Sequence, residues 1–315
     1  MESQDYSLSY YGKGSELFKI QIVNTILCIF TLGLYYPWAK ARTRQYLYSQ
    51  TTFQNEPFVF TGTGKEMFKG FIILIGLVIG IYASTIAVAM FLGMPLAVLL
   101  FYIAFLSLIP VALNGAFRYR MAKSKWKSIN FQYTGNLKEL MGIFYSGLFF
   151  TIITIGFYGP WLAMQMRRYI IDNIKLGDAD FTYLGNGGDY FVLNLKGYLL
   201  TIVTLGIYAF WWQKDLFDYF VNNLRMSRND DAVFFLSTAT GGKFFNLLAG
   251  NLLIIIFTLG FGVPWATTRT LTFYAKHSTM SGTIDMDGLH QAPVQEYSSA
   301  VGDDMAGMFD IGAAI

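Results

Sequence analysis

Charge is scarce in this chain. Charged residues make up 14% and hydrophobic residues 54% of its 315 positions, whereas a soluble domain carries about 25% charged residues. Water is therefore not its main solvent. Cysteine is almost absent: Cys28 stands alone inside an apolar run, so an intrachain disulfide is excluded and the redox compartment is unreadable. The two histidines, His277 and His290, lie in the polar C-terminal region, and no group of His, Cys, Asp and Glu has metal-ligand spacing. No metal or cofactor is expected. The first 16 residues, MESQDYSLSYYGKGSE, lack a basic stretch and a cleavage site, so no signal peptide is expected. A net charge of +3 is too small to suggest nucleic acid.

Apolar runs of about 20 residues follow one another, each long enough to cross a hydrocarbon core of about 30 Å as a helix. Four of them end in one pattern: Thr31-LGLYYP-Trp38, Thr154-IGFYGP-Trp161, Thr204-LGIYAF-Trp211 and Thr258-LGFGVP-Trp265. Aromatic strands ending near glycine precede the runs, marked by Tyr10, Phe60, Tyr133, Tyr183 and Phe235. These signals divide residues 1–276 into repeated units of about 7–50, 51–127, 128–177, 178–230 and 231–276, followed by a polar, acidic tail at 277–315. The second unit is longer by about one helix, with Gly93-Met94-Pro95 as a tight connection.

The expected fold is an all-α, multi-pass membrane protein with about six transmembrane helices, at 17–36, 70–91, 95–113, 139–158, 190–211 and 245–263. The mixed aromatic and basic stretches after each tryptophan read as interfacial amphipathic helices. TTF-QNEP-FVF, IKL-GDAD-FTY and RMS-RND-DAVFF read as β-hairpins outside the bilayer. Under this count the basic residues concentrate in the loops 37–69, 114–138 and 212–243, which the positive-inside rule assigns to the cytoplasm, with both termini in the periplasm.

Candidate functional residues follow from position. Trp38, Trp161, Trp211 and Trp265, with Arg42, Arg44, Arg167, Arg168 and Arg269 after them, would sit at headgroup depth, as an aromatic belt with snorkelling cations or as phospholipid headgroup pockets. The belt is the commoner arrangement. Asn24 and Asn251 share a position seven residues before the motif threonine, and Lys196 is the one clear charge inside an apolar run. They read as interhelical glue and a snorkelling lysine, or else as part of a solute path.

The strand ending GTGKE, the helix ending TLGLYYPW and the basic AKARTRQY that follows resemble the YjgN-type family of bacterial inner-membrane proteins, whose function is unknown. The resemblance extends through the FDIGAAI tail, with Phe210 and Gly262 departing from the motif. It implies a bacterial inner (cytoplasmic) membrane location, no enzyme activity and no cofactor. The spans carry no central Asp, Glu, His or Arg, and no Gly-x-Ser-x-Gly elbow is present, so acid–base or acyl chemistry has no residues to carry it. Two functions compete: a non-enzymatic, lipid-interacting or envelope-organising protein, and a transport-related permease for a small solute. Phospholipids are the expected partners, with a second copy or other membrane proteins as further candidates. A continuous polar cavity lined by Asn24, Asn251 and Lys196 would favour transport.

Overall fold

The computed structural model describes residues 4–291 and 297–308; the FDIGAAI tail lies outside them. The chain is built from strand–helix–helix–strand units. The first is β1 (Gln4–Tyr10), α1 (Gly14–Phe30), α2 (Tyr36–Ser49) and β2 (Thr51–Phe53). The second is β3 (Glu56–Phe60), α3 (Gly64–Leu92), α4 (Met94–Lys123) and β4 (Ser124–Trp126). The third runs β5 (Ile129–Tyr133), α5 (Leu137–Ile153), α6 (Gly159–Asp172), β6 (Ile174–Leu176), and the fourth β7 (Ala179–Tyr183), α7 (Gly187–Val203), α8 (Ala209–Asn222), β8 (Leu224–Arg228). The fifth is β9 (Asp231–Ser237), α9 (Gly241–Phe257), α10 (Val263–His277), β10 (Ser278–Gly282), and α11 (Val301–Met308) follows.

The hairpin turns fall where the sequence places polar residues that tolerate the left-handed region: Gln54 and Asn55, Lys127, Gly177 and Asn229 all have positive φ. The strands do not remain separate loops. Each pairs antiparallel with its neighbours, and β1 pairs with both β2 and β10, which closes a ten-stranded barrel. The helices close as well, since each packs on the next and α10 packs on α1.

Alternation along the strands turns Tyr6, Phe53, Trp126, Leu176, Met226, Val233 and Met280 into one apolar core. Lys125, Gln132, Lys175, Asp180 and Arg225 occupy the alternate positions. This is the reverse of a membrane β-barrel, whose outer band is apolar and whose interior is polar. The outer face of this barrel is largely polar, with Val59, Phe234 and Leu236 as exposed apolar exceptions. The chain after β10 folds back and adds Ile284, Met286 and Leu289 to the same core, held by the Tyr6 hydroxyl donating to the Ile284 carbonyl at 2.6 Å and by Lys127–Asp287 at 2.6 Å. These residues fill the lumen at its hairpin-turn end, and an apolar cavity of about 320 Å³ lined by Leu8, Thr51, Phe58, Ser124 and Phe131 lies at its helix end.

This architecture overturns the all-α, six-span expectation. Among the described residues only α3 and α4, at 29 and 30 residues, are long and apolar enough to cross a membrane. The runs at 17–36, 139–158, 190–211 and 245–263 break in the middle of the motif. There α1, α5, α7 and α9 end after 17 residues, about 25 Å, and the chain reverses. What reads as an interfacial helix after each tryptophan is the return leg of a helical hairpin. Every hairpin starts and ends at the barrel, so the β1 end of the chain and all inter-unit connections share one side, and the alternating topology is lost.

Candidate membrane-insertion and headgroup site

Each reversal is made by the same local chemistry. Thr31, Thr154, Thr204 and Thr258 donate their hydroxyls to the carbonyls of Leu27, Phe150, Leu200 and Ile254 at 2.6–2.7 Å. The same oxygens accept the amides of Tyr35, Tyr158, Tyr208 and Gly262 at 2.7–3.0 Å. One side chain thus ends one helix and caps the next. The residue after each threonine is left-handed, with φ of 50–52° at Leu32, Ile155, Leu205 and Leu259, and the glycine that follows has φ of 88–94°. The glycine amide bonds back to the carbonyl five residues earlier. Phe210 and Gly262, the two departures from the motif, leave this geometry unchanged.

The apices are bare of charge and project outward. Leu32 and Leu205 are 94% exposed, Ile155 90% and Leu259 89%. All 23 lysines and arginines lie away from the apices 31–35, 154–158, 204–208 and 258–262 and from the α3–α4 turn. Backbone groups satisfied within the turn, together with an uncharged apolar tip, are what a non-aqueous medium requires.

The four tryptophans fasten neighbouring units. A Cβ placed on Gly64, Gly187, Gly241 or Gly14 would come within 3.0 Å of Trp38, Trp161, Trp211 or Trp265 respectively, so glycine is required for the approach. Phenylalanine one turn further on completes each contact: Phe68, Phe191, Phe245 and Phe18 lie 5.0–6.2 Å from those indoles. Trp265 on Gly14 closes the ring. Within each of the first three units, nearer the barrel, Tyr46, Tyr119 and Tyr169 tie the two helix legs together by bonding the carboxylates of Glu16, Glu66 and Glu139.

The cations take separate roles. Arg44 is held at 2.6 Å by Asp303 of α11, which also takes Lys40 at 2.8 Å and Arg120 at 2.6 Å, while Asp304 takes Lys40 at 2.8 Å. Burial opposes ionisation of Asp303, yet Arg44, Lys40 and Arg120 outweigh it and hold its carboxyl well below the usual range. Burial raises Asp304, with Lys40 opposing. Arg167 lies over the rings of Phe220 at 3.9 Å and Tyr183 at 5.3 Å, and Arg168 donates to the Tyr183 and Gly185 carbonyls. Arg42 and Arg269 are exposed on their helices. Asn24 is buried and donates to the Ala39 carbonyl, and Asn251 donates to Ala266 and Thr270; each ties the two legs of its own hairpin. Lys196 is exposed on α7. The structure does not bring Asn24, Asn251 and Lys196 together. Asp303 and Asp304, unremarked in the sequence, are the residues that gather the basic ones; the visible signal was two acids within the small-residue stretch GDDMAGM.

A family model described as "Bacterial protein of unknown function (DUF898)" matches residues 5–184, 179–230 and 212–308. The chain belongs to the DUF898 family. Relatives of this DUF898 protein include "Inner membrane protein YjgN" of Salmonella typhimurium, 39% identical over 67 residues, or 21% of this chain and 17% of the relative. The protein of that name from Escherichia coli O157:H7 is 26% identical over 153 residues, 49% of this chain and 36% of the relative. That of Escherichia coli K12 is 35% identical over 68 residues, 22% and 17%. The aligned part therefore spans well under half the length of these relatives. No solved structure matches. With two exposed apolar helices of spanning length, the DUF898 chain is a bacterial inner-membrane protein.

Proposed function

We propose that this protein is non-enzymatic and acts on the lipid phase itself, inserting four helical hairpins and one spanning hairpin into the inner membrane beneath a cytoplasmic barrel. The single observation that carries this reading is the set of four apices, each uncharged, nearly fully exposed and closed on itself by a threonine. An apolar tip such as Leu205, 94% exposed, costs free energy in water and gains it in hydrocarbon. Four shorter hairpins entering from one side add volume unequally to the two leaflets, which suits a protein that organises or deforms the envelope membrane. The transport reading has less support, because Trp126, Met226, Ile284 and Met286 block the barrel lumen at its turn end.

Depth measurements test the reading. A fluorophore on a cysteine at Leu205, in a Cys28→Ser background and reconstituted in vesicles, should be quenched by lipids labelled along the acyl chain and shielded from aqueous iodide. A fluorophore at Asn229, on a barrel turn, should respond only to iodide. Iodide access to the Leu205 site would overturn the proposal.

A further inference from the structure

The fifth unit departs from the other four at one point of chemistry. The third residue of the first helix is Glu16, Glu66, Glu139 and Asp189 in units one to four, and Lys243 in unit five. The tyrosine that bonds the acid in three of those units is Phe273 in unit five. A carboxylate at the barrel end of the hairpin is thus replaced by a cation, and the hydroxyl that bonds it in the other units is gone. The groove between α9 and α10 is open, with a volume of about 520 Å³, and Lys243, Asn246, Arg269, Thr272, Lys276 and His277 line it.

None of Lys243, Arg269 and Lys276 forms an ion pair among the described residues. Three like charges sharing one groove repel one another unless an anion joins them. Lys276 lies in the last turn of α10, beside the barrel. Arg269 lies eight residues before His277, roughly 12 Å toward the apex at helical rise, where an unpaired charge is expensive in an apolar surrounding. The matching position on α2 is Arg42, also exposed and in no ion pair among the described residues, but it lies outside any such cluster: the neighbouring Lys40 and Arg44 are neutralised by Asp303 and Asp304. On α10 no described carboxylate does so.

We infer that the α9–α10 groove binds the phosphate of an anionic phospholipid headgroup, with Lys243 and Lys276 at the water side and the Arg269 guanidinium forked onto the phosphate from below. The Asn246 amide adds a neutral donor, and the exposed apolar faces of α9, Leu252, Leu253 and Ile256, give the acyl chains their path. The inference rests on the bilayer insertion proposed above and adds a particular site and ligand class to it.

Native mass spectrometry of the full chain released from detergent, titrated with phosphatidylglycerol and with phosphatidylcholine, tests the site. Lys243→Gln and Arg269→Gln should each weaken phosphatidylglycerol binding about fivefold, the equivalent of one cation lost from an anionic contact, and leave phosphatidylcholine unchanged. Lys138→Gln, which removes a charge at the same level of α5, should have no effect. Equal loss in all three variants would reduce the site to general surface charge and overturn the inference, as would no loss in any. Inorganic phosphate at matched charge should compete poorly; competition equal to that of the lipid would overturn the lipid assignment. A Lys276→Gln variant serves where Arg269→Gln fails to fold. Acyl-chain quenching at Leu205 separates the two levels, because intact quenching with unchanged lipid binding sinks the groove and spares the insertion.

Discussion

The threonine of each apex carries two bonds that no neighbour can replace. Thr204 donates to Leu200 and accepts the Tyr208 amide at 2.9 Å, and the surrounding tip, with Leu205 and Ile207 exposed, offers no other acceptor. In water the orphaned amide would be solvated at little cost, whereas in hydrocarbon it stays unpaired. Thr204→Val is therefore expected to destabilise the bilayer-embedded protein by about 1–3 kcal/mol, with Thr204→Ser close to the parent. Thermal unfolding in lipid nanodiscs measures this, and equal melting of Val and Ser variants would mean that the apex is hydrated. The motif itself was legible in the sequence, down to the cap and the bend. Its sense was not: Thr-x-Gly followed by an aromatic reads equally as the end of a span and as a reversal. The left-handed turn is taken by Leu32 and Ile155, residue types that give no warning of positive φ. The belt reading of the tryptophans missed their glycine partners because those lie in the following unit, and in the case of Trp265 and Gly14 at the opposite end of the chain.

Among the elements, α11 is the one whose place rests on electrostatics. Asp303→Asn removes the fully buried charge shared by Lys40, Arg44 and Arg120, leaving Lys40 with Asp304 alone. Breaking a buried pair in this way costs about 3–5 kcal/mol. Hydrogen exchange should show residues 301–306 losing protection while β7 and β8 keep theirs; retained protection would mean that apolar contacts of Met305 and Ala306 suffice. The pH dependence has two parts of opposite sign. The depressed pKa of Asp303 contributes stability that is present above the unfolded value of about 3.9 and is lost only as pH falls through the lower native value. The raised pKa of Asp304 means that its ionised form opposes docking at neutral pH, and that opposition is relieved on acidification. Docking should therefore hold or tighten as pH falls from neutral toward about 4. Steady loosening over that range would show that Asp304 is favoured as the ion. None of this could be read from an acidic tail alone, since its partners come from α2 and α4. Helix existence was legible from apolar runs, whereas the low hydropathy of the return legs made α2 and α6 look interfacial.

At the scale of the whole molecule, closure was the feature hidden from local reading. Each hairpin announces itself through its turn, but whether five hairpins stay apart or join depends on the pairing of Ser7 with Thr279, a contact between opposite ends of the chain. Closure also decides topology. Because every helix pair begins and ends at the barrel, the proposed insertion puts the barrel wholly on one side and gives the crossing to α3 and α4. Charge then fixes which side. Lysine and arginine are absent from every apex and from the α3–α4 turn at Gly93, while the barrel strands and adjoining helix ends hold Lys125, Lys127, Lys175, Arg225 and Arg228 among others. Under the proposed insertion, the positive-inside rule then assigns that basic end to the cytoplasm. The α3–α4 turn, about 18 Å beyond the other apices by the difference of 29 and 17 residues at helical rise, should emerge on the periplasmic face. Single cysteines in a Cys28→Ser background give the check. A membrane-impermeant maleimide applied to intact spheroplasts should label a cysteine at Met94 and spare one at Asn229, and inverted vesicles should reverse the pattern. A cysteine at Leu205 should resist the reagent from both sides, because its hairpin enters the bilayer without leaving it. Labelling of Leu205 from the periplasm would make the shorter hairpins full crossings, and labelling of Asn229 there would turn the whole molecule over.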